Sequence, residues 1–171
     1  MTEQRKRRRS LNVRFVSLRL VKLYYISYSY RQFRTLARTM RRRRGAFEEN
    51  FLLALESRLA PLLYRLTFIG NPFHCLDFIR RGFVFVEGRG QRRPNAVFGL
   101  HQLLTLSGLG RRWVYHELQL RLATGRLLFN VPGYLMVSFF FLYAFQRRPP
   151  LRKDLVFPIA LDFYRATGYA F

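Results

Sequence analysis

Arg31, Arg34 and Arg38 recur at the three- and four-residue intervals that put side chains on one face of a helix, and Arg41, Arg42, Arg43 and Arg44 follow as a run. A guanidinium donates two parallel hydrogen bonds to one phosphate and also stacks on bases, so this pattern suits a surface that reads a polyanion. Further along, Arg58, Arg65, Arg80, Arg81, Arg89, Arg92 and Arg93 stand at the junctions between apolar runs, and Arg147-Arg148 closes a long uncharged stretch. The chain holds 31 basic residues against 9 acidic ones, a net charge of +22, and only Lys6, Lys22 and Lys153 are lysine. GC-rich codon usage would produce the same preference for arginine; the charge itself does not depend on the cause. Self-repulsion at that charge opposes compaction until a polyanion neutralises it. Nucleic acid is the first candidate and an anionic membrane surface the second.

The side chains of other chemistries are sparse. Cys75 is the only cysteine, which excludes an internal disulfide and a cysteine-rich zinc site. His74, His101 and His116 lack metal-ligand spacing and read as surface or packing residues. Neither a metal nor a cofactor is expected. The N-terminal run Arg5-Lys6-Arg7-Arg8-Arg9 precedes an apolar stretch that Arg14, Arg19 and Lys22 interrupt, unlike the core of a signal peptide. It fits an RNA-binding arm better than a mitochondrial presequence.

Helices must position most of these arginines. Tyr24, Tyr25, Tyr28, Phe33, Leu36 and Met40 alternate with Arg31, Arg34 and Arg38, which predicts a helix over residues 24–40 with an aromatic and a basic face. The aromatic face serves either as core or as a platform for bases. Phe51, Leu52, Leu55 and Leu59 predict a helix over 47–59; Pro61 to Phe68 reads as a second, with proline in its first turn. Asn71 caps a third that starts at Pro72, reaches Arg81 and stops at Gly82. Phe83 to Val86 is a strand by composition, Glu87-Gly88 a turn, and residues 96–106 further strand. Residues 107–130 are ambiguous, although Trp113 to Leu122 could be a helix. Residues 127–145 are uncharged and long enough to span a bilayer, yet Asn130, Pro132-Gly133 and the run Ser138-Phe139-Phe140-Phe141 favour strand. Asp154 to Phe171 reads as a short segment ending in a helical turn.

Several segments resemble the small-subunit ribosomal protein S-four family. They are Arg31-Gln32-Phe33-Arg34, Glu49-Asn50-Phe51-Leu52, Leu55-Glu56-Ser57-Arg58-Leu59, Tyr64-Arg65-Leu66-Thr67-Phe68 and Val86-Glu87-Gly88-Arg89. From Tyr64 to Gly88 the likeness needs no gap. A second anchor follows in the family's order: Pro132-Gly133-Tyr134-Leu135-Met136-Val137, Phe145-Gln146-Arg147-Arg148-Pro149 and Asp154-Leu155. About two thirds of the chain is covered. Ala60-Pro61 stands in place of the family's Asp-Asn, the third helix opens Asn71-Pro72-Phe73-His74 instead of Ser/Thr-Arg, and Leu100-His101-Gln102 replaces a Pro-Gly-Asp turn.

The resemblance implies an α+β protein. A basic arm and helical part would occupy 1–54, and an alpha-L RNA-binding domain, two helices on a small and mostly antiparallel sheet, 55–106. A poorly matched insertion would follow over 107–130, and a C-terminal segment, 131–171, would return to the helical part. It implies a structural, non-enzymatic component of the small ribosomal subunit. Its partners would be small-subunit rRNA, neighbouring ribosomal proteins and mRNA at the entry channel. The arginines named above, Arg147 and Arg148 included, are the candidate RNA contacts. No small-molecule substrate or membrane partner is expected. The many aromatics and the N-terminus, short for the family, suggest a mitochondrial form, with a plastid or the bacterial cytoplasm as alternatives. Three rivals remain: a free-standing assembly or rescue factor with the same RNA-binding fold, a membrane-associated basic protein, and an RNA-modifying enzyme. The last rests on Thr124-Gly125-Arg126-Leu127-Leu128-Phe129, faintly similar to pseudouridine synthase elements. However, Leu128 stands where that chemistry needs aspartate, and the only aspartates are Asp77, Asp154 and Asp162.

Overall fold

A computed structural model of the chain describes residues 16–22, 25, 28–126 and 131–154. They fall into two compact units divided between Ala54 and Leu55. Expectations for the arm before residue 16, for Tyr24, and for the packing of residues 155–171 lie outside the described residues.

In the first unit residues 16–22 are helical, with Leu18 and Val21 buried. Helix α1 spans Tyr30–Arg41 and starts later than the aromatic pattern alone suggests. The reason is a capping box: the Ser29 hydroxyl accepts from the Gln32 N–H while the Gln32 side chain accepts from the Ser29 N–H. Phe33, Ala37 and Met40 form its buried stripe. Gly45, at φ +103°, makes the turn into α2, Phe47–Glu56, whose first turn carries Glu48 and Glu49 against the positive end of the helix dipole. Phe51 meets Phe33 edge-on at 5.1 Å and stacks on Phe47 at 5.5 Å. The aromatic side of α1 is therefore core.

The second unit packs three helices with one sheet. Helix α3 spans Leu59–Arg65, and its N-cap, Arg58, makes no side-chain cap. The free N–H groups of Leu59 and Ala60 donate instead to the carbonyls of Ala96 and Pro94, and Pro61 has no N–H to satisfy. A distant loop thus caps the helix in place of a side chain. That loop is why only Leu103–Leu106 of the expected 96–106 strand is regular: the residues before it are held along α3, with Phe98 N–H on the Ser57 carbonyl and Arg58 bridged to Val97.

Helix α4, Pro72–Arg80, begins with Asn71 accepting from the Phe73 N–H. It ends in a Schellman turn: Gly82, at φ +79°, donates to Ile79 and Phe83 to Phe78. Strands β1 (Val84–Val86) and β2 (Arg89–Gln91) form a hairpin whose turn residues, Glu87 and Gly88, are both at positive φ. Strand β3 is Leu103–Leu106. Helix α5, Gly108–Ala123, fills most of the ambiguous 107–130 stretch and is capped by Ser107, which accepts from the Gly110 N–H. Strands β4 (Leu135–Ser138) and β5 (Tyr143–Gln146) complete an antiparallel sheet of order β2-β1-β3-β5-β4. Through the β3–β5 pairing, residues 135–146 belong to the same sheet as the hairpin, which differs from a segment that leaves it for the helical part. The Ser138–Phe141 run is not buried strand: β4 ends at Ser138, Leu142 turns the chain at φ +52°, and Phe140 is 77% exposed at the tip. Among the described residues no helix is long and apolar enough to cross a membrane.

Candidate nucleic-acid interface

The buried stripe of α1 leaves its opposite face to arginine. Arg31, Arg34 and Arg38 are all exposed, and Arg41 to Arg44 continue the exposed basic surface through the turn to Gly45. Arg41 lies over the Phe47 ring at 5.4 Å, a contact that orders the guanidinium without removing its charge. The N–H groups of Arg42 and Arg43 close back on the carbonyls of Thr39 and Met40, and the Arg44 carbonyl accepts from the Asn50 amide, so the run is part of a built turn. No acidic residue stands between Glu3 and Glu48 in the sequence. Seven arginines with no acidic residue among them therefore set up a strongly positive field along this surface.

In the second unit Arg80, Arg81, Arg89, Arg92 and Arg93 are exposed. The Schellman turn lets Arg92 lie against Gly82, 3.3 Å from where a Cβ would stand, which gathers Arg80, Arg81 and Arg92 around one end of α4. Arg80 makes an exposed pair with Asp77 at 3.4 Å. Arg147 is exposed beyond β5, its N–H on the Tyr134 carbonyl.

Three of the sixteen expected contact residues have other duties. Arg65 is a correction to its assignment as a surface contact: it is buried and donates Nε at 3.3 Å and Nη2 at 3.0 Å to the Glu56 carboxylate, which also accepts from the Tyr134 hydroxyl at 3.4 Å. Glu56 is fully buried, so the pair holds α2's last turn to α3 in a setting where neither charge reaches solvent. Arg58 is half-buried and donates to the Asn95 carbonyl in the capping loop. Arg148 forms a two-pronged pair with Asp154 at 2.6 and 2.7 Å, and that hydrogen bonding holds the Asp154 carboxyl below its ordinary range.

Arg111 and Arg112, in the first turns of α5, are also exposed and were not among the expected contacts. The signal was Ser107 with two glycines after it, a helix start that can be recognised only once 107–130 is taken as helix. Arg121, also on α5, donates to the carbonyls of Thr67 and Phe68 at 2.8 and 2.9 Å and so satisfies the turn after α3, where Thr67 sits at φ +58°. Cys75 is buried, and burial pushes its thiol up to about 12, which leaves it neutral and a packing residue. Among the described residues no three His, Cys, Asp or Glu side chains come together as a metal site.

No family model matches the chain. It is 25% identical over 160 residues to small ribosomal subunit protein uS4 of Rhodospirillum centenum, covering 94% of this chain and 76% of that protein. It is 26% identical over 151 residues to uS4 of Granulibacter bethesdensis, covering 88% and 71%. Over a shorter stretch of 75 residues it is 37% identical to uS4 of a Chelativorans species, covering 44% and 37%. The chain is thus similar to uS4 proteins along most of its length. Such likeness along nearly all of its length includes α5 and the β4–β5 hairpin, which the motif resemblance left partly uncovered.

Proposed function

We propose that this protein is a structural constituent of a small ribosomal subunit that binds small-subunit rRNA through arginine–phosphate contacts. The observation that carries the reading is the arginine face of α1 and its turn, Arg31, Arg34, Arg38 and Arg41 to Arg44, exposed opposite a fully buried stripe in a chain related to uS4 along almost all of its length. Arg80, Arg81, Arg89, Arg92, Arg93 and Arg147 supply the second basic surface. Arg58, Arg65 and Arg148 support the fold behind it.

Phosphate neutralisation dominates the affinity of such a surface, and A-form RNA presents mainly backbone and shape to it. In this reading α3, α4 and the β1–β3 part of the sheet act as an alpha-L RNA-binding domain over residues 55–106; the order helix, helix, hairpin supports it. Neighbouring ribosomal proteins would cover the exposed Phe140 and Phe141, and mRNA at the entry channel is a further proposed partner. The aromatic content of 17% favours a mitochondrial ribosome. Sedimentation of organelle lysate at low and then moderate salt, with this protein tracked by mass spectrometry, tests the reading. Co-migration with the small subunit that persists at moderate salt is expected. A peak confined to free fractions would leave a free-standing RNA-binding factor, and one confined to membrane fractions a membrane-associated protein.

A further inference from the structure

Between α4 and the start of α5 lies an open groove of about 240 Å³, lined by His74, Asp77, Phe78, Arg81, Phe83 and Trp113. Phe78 is buried and forms the floor with Phe83, their rings 5.1 Å apart. Trp113 leans on Phe78 at 5.4 Å and is met by His74 at 6.4 Å, and both remain partly open to solvent. Asp77 and Arg81 stand exposed on the rim. Gly110 permits this geometry: a Cβ there would lie 2.9 Å from Phe83 and 3.1 Å from Phe78, so any side chain would push α5 off the aromatic floor.

We propose that this groove takes one unpaired RNA base bearing an exocyclic amine. Its volume falls below the range of drug-sized pockets and suits a single flat ring. Aromatic side chains with an open face are what single-stranded RNA stacks on, because every base has a π-face. The polar groups divide by task. Arg81, with the exposed Arg80, Arg111 and Arg112 on the same two helices, attracts the phosphate that enters with the base. Asp77 repels phosphate, and it is one of only 9 acidic residues in a chain of net charge +22. A carboxylate beside a stacking platform accepts from the amine of a base edge, and it can do so while one oxygen is shared with Arg80. A base extruded from a paired helix satisfies all of these at once, whereas duplex RNA offers no free ring.

The proposal rests on the rRNA-binding reading and sharpens it to a single base. Trp113 is the chain's only tryptophan, so its emission reports the groove directly. The full-length protein would be titrated with short single-stranded oligoribonucleotides of C, A and U and with a duplex of equal charge, binding being followed in parallel by electrophoretic shift. Single-stranded C and A are expected to quench Trp113 and to bind tighter than U, with the duplex bound but unquenched. His74→Ala, at an exposed position, and Trp113→Ala should each weaken single-strand binding, the latter roughly tenfold, and leave duplex binding unchanged. Asp77→Ala should remove the preference over U. Equal quenching by duplex and single strand, or emission that no RNA changes, overturns the proposal; the second result would mean a neighbouring protein's side chain fills the groove. Co-sedimentation of the wild-type protein with the small subunit but no quenching would defeat the groove alone, whereas quenching in a protein absent from the subunit would defeat the ribosomal reading and leave the groove standing.

Discussion

Glu56 and Arg65 show how residue type can mislead about residue role. Both lie within a segment similar to uS4, and an arginine in a chain of net charge +22 invites assignment to RNA. Burial decides otherwise, since Arg65 has 8% of its side chain exposed and Glu56 none. A buried pair of this kind contributes little over an apolar pair of the same volume, but removing one partner strands the other charge in the core. Glu56→Gln is therefore expected to destabilise the protein by about 3–5 kcal/mol, a large part of the stability of an ordinary domain, read as a lower urea midpoint with unchanged slope. The double variant Glu56→Leu, Arg65→Met should recover most of the loss. A single variant as stable as the wild type would show that the pair is not buried in solution. Nothing in the local sequence announced the pair, because the partners stand 9 residues apart on two different helices.

At the scale of the element, α1 was legible because both of its faces obey one period. Its basic and apolar positions read directly from the sequence, and only its start required the Ser29–Gln32 box. Replacing Arg31, Arg34 and Arg38 together by alanine should leave the helix intact, since alanine is the stronger helix former and the buried stripe is untouched. The expected effect is on RNA: the slope of log affinity against log salt should fall by about three, with binding weakened across all sequences. An unchanged slope in a filter-binding series would remove α1 from the interface. Helix α3 is the contrary case. Its cap comes from the carbonyls of Pro94 and Ala96, more than thirty residues downstream, so its Leu59 start and the irregular loop explain each other only in three dimensions. Helix α5 was ambiguous for a related reason, as its weakly amphipathic pattern is stabilised by Ser107 at one end and by the grip of Arg121 on the α3 turn at the other.

Over the whole molecule the charge imposes opposite responses to salt on stability and on binding. Self-repulsion at +22 should make the isolated protein more stable as salt rises, while its affinity for RNA falls, because salt screens the repulsion and also weakens the release of counterions that drives association. Thermal melting and RNA binding measured across the same salt series check this. Melting temperatures that fall with salt would mean that intramolecular ion pairs such as Arg148–Asp154 outweigh the repulsion.

What the sequence alone determined is what depends on composition and short-range period: a strongly basic chain, the arginine face of α1, the Asn71-Pro72 start and Gly82 stop of α4, and the Glu87-Gly88 hairpin. These are properties of a few neighbouring residues, so each carries its own signature. Tertiary structure alone decided which arginines are spent inside, that β5 pairs with β3 and so brings β4 into one sheet with the hairpin, and that Trp113, His74 and Asp77 share a groove. Those outcomes depend on contacts between residues far apart in the chain, whose energies come from burial and shape that no local pattern encodes.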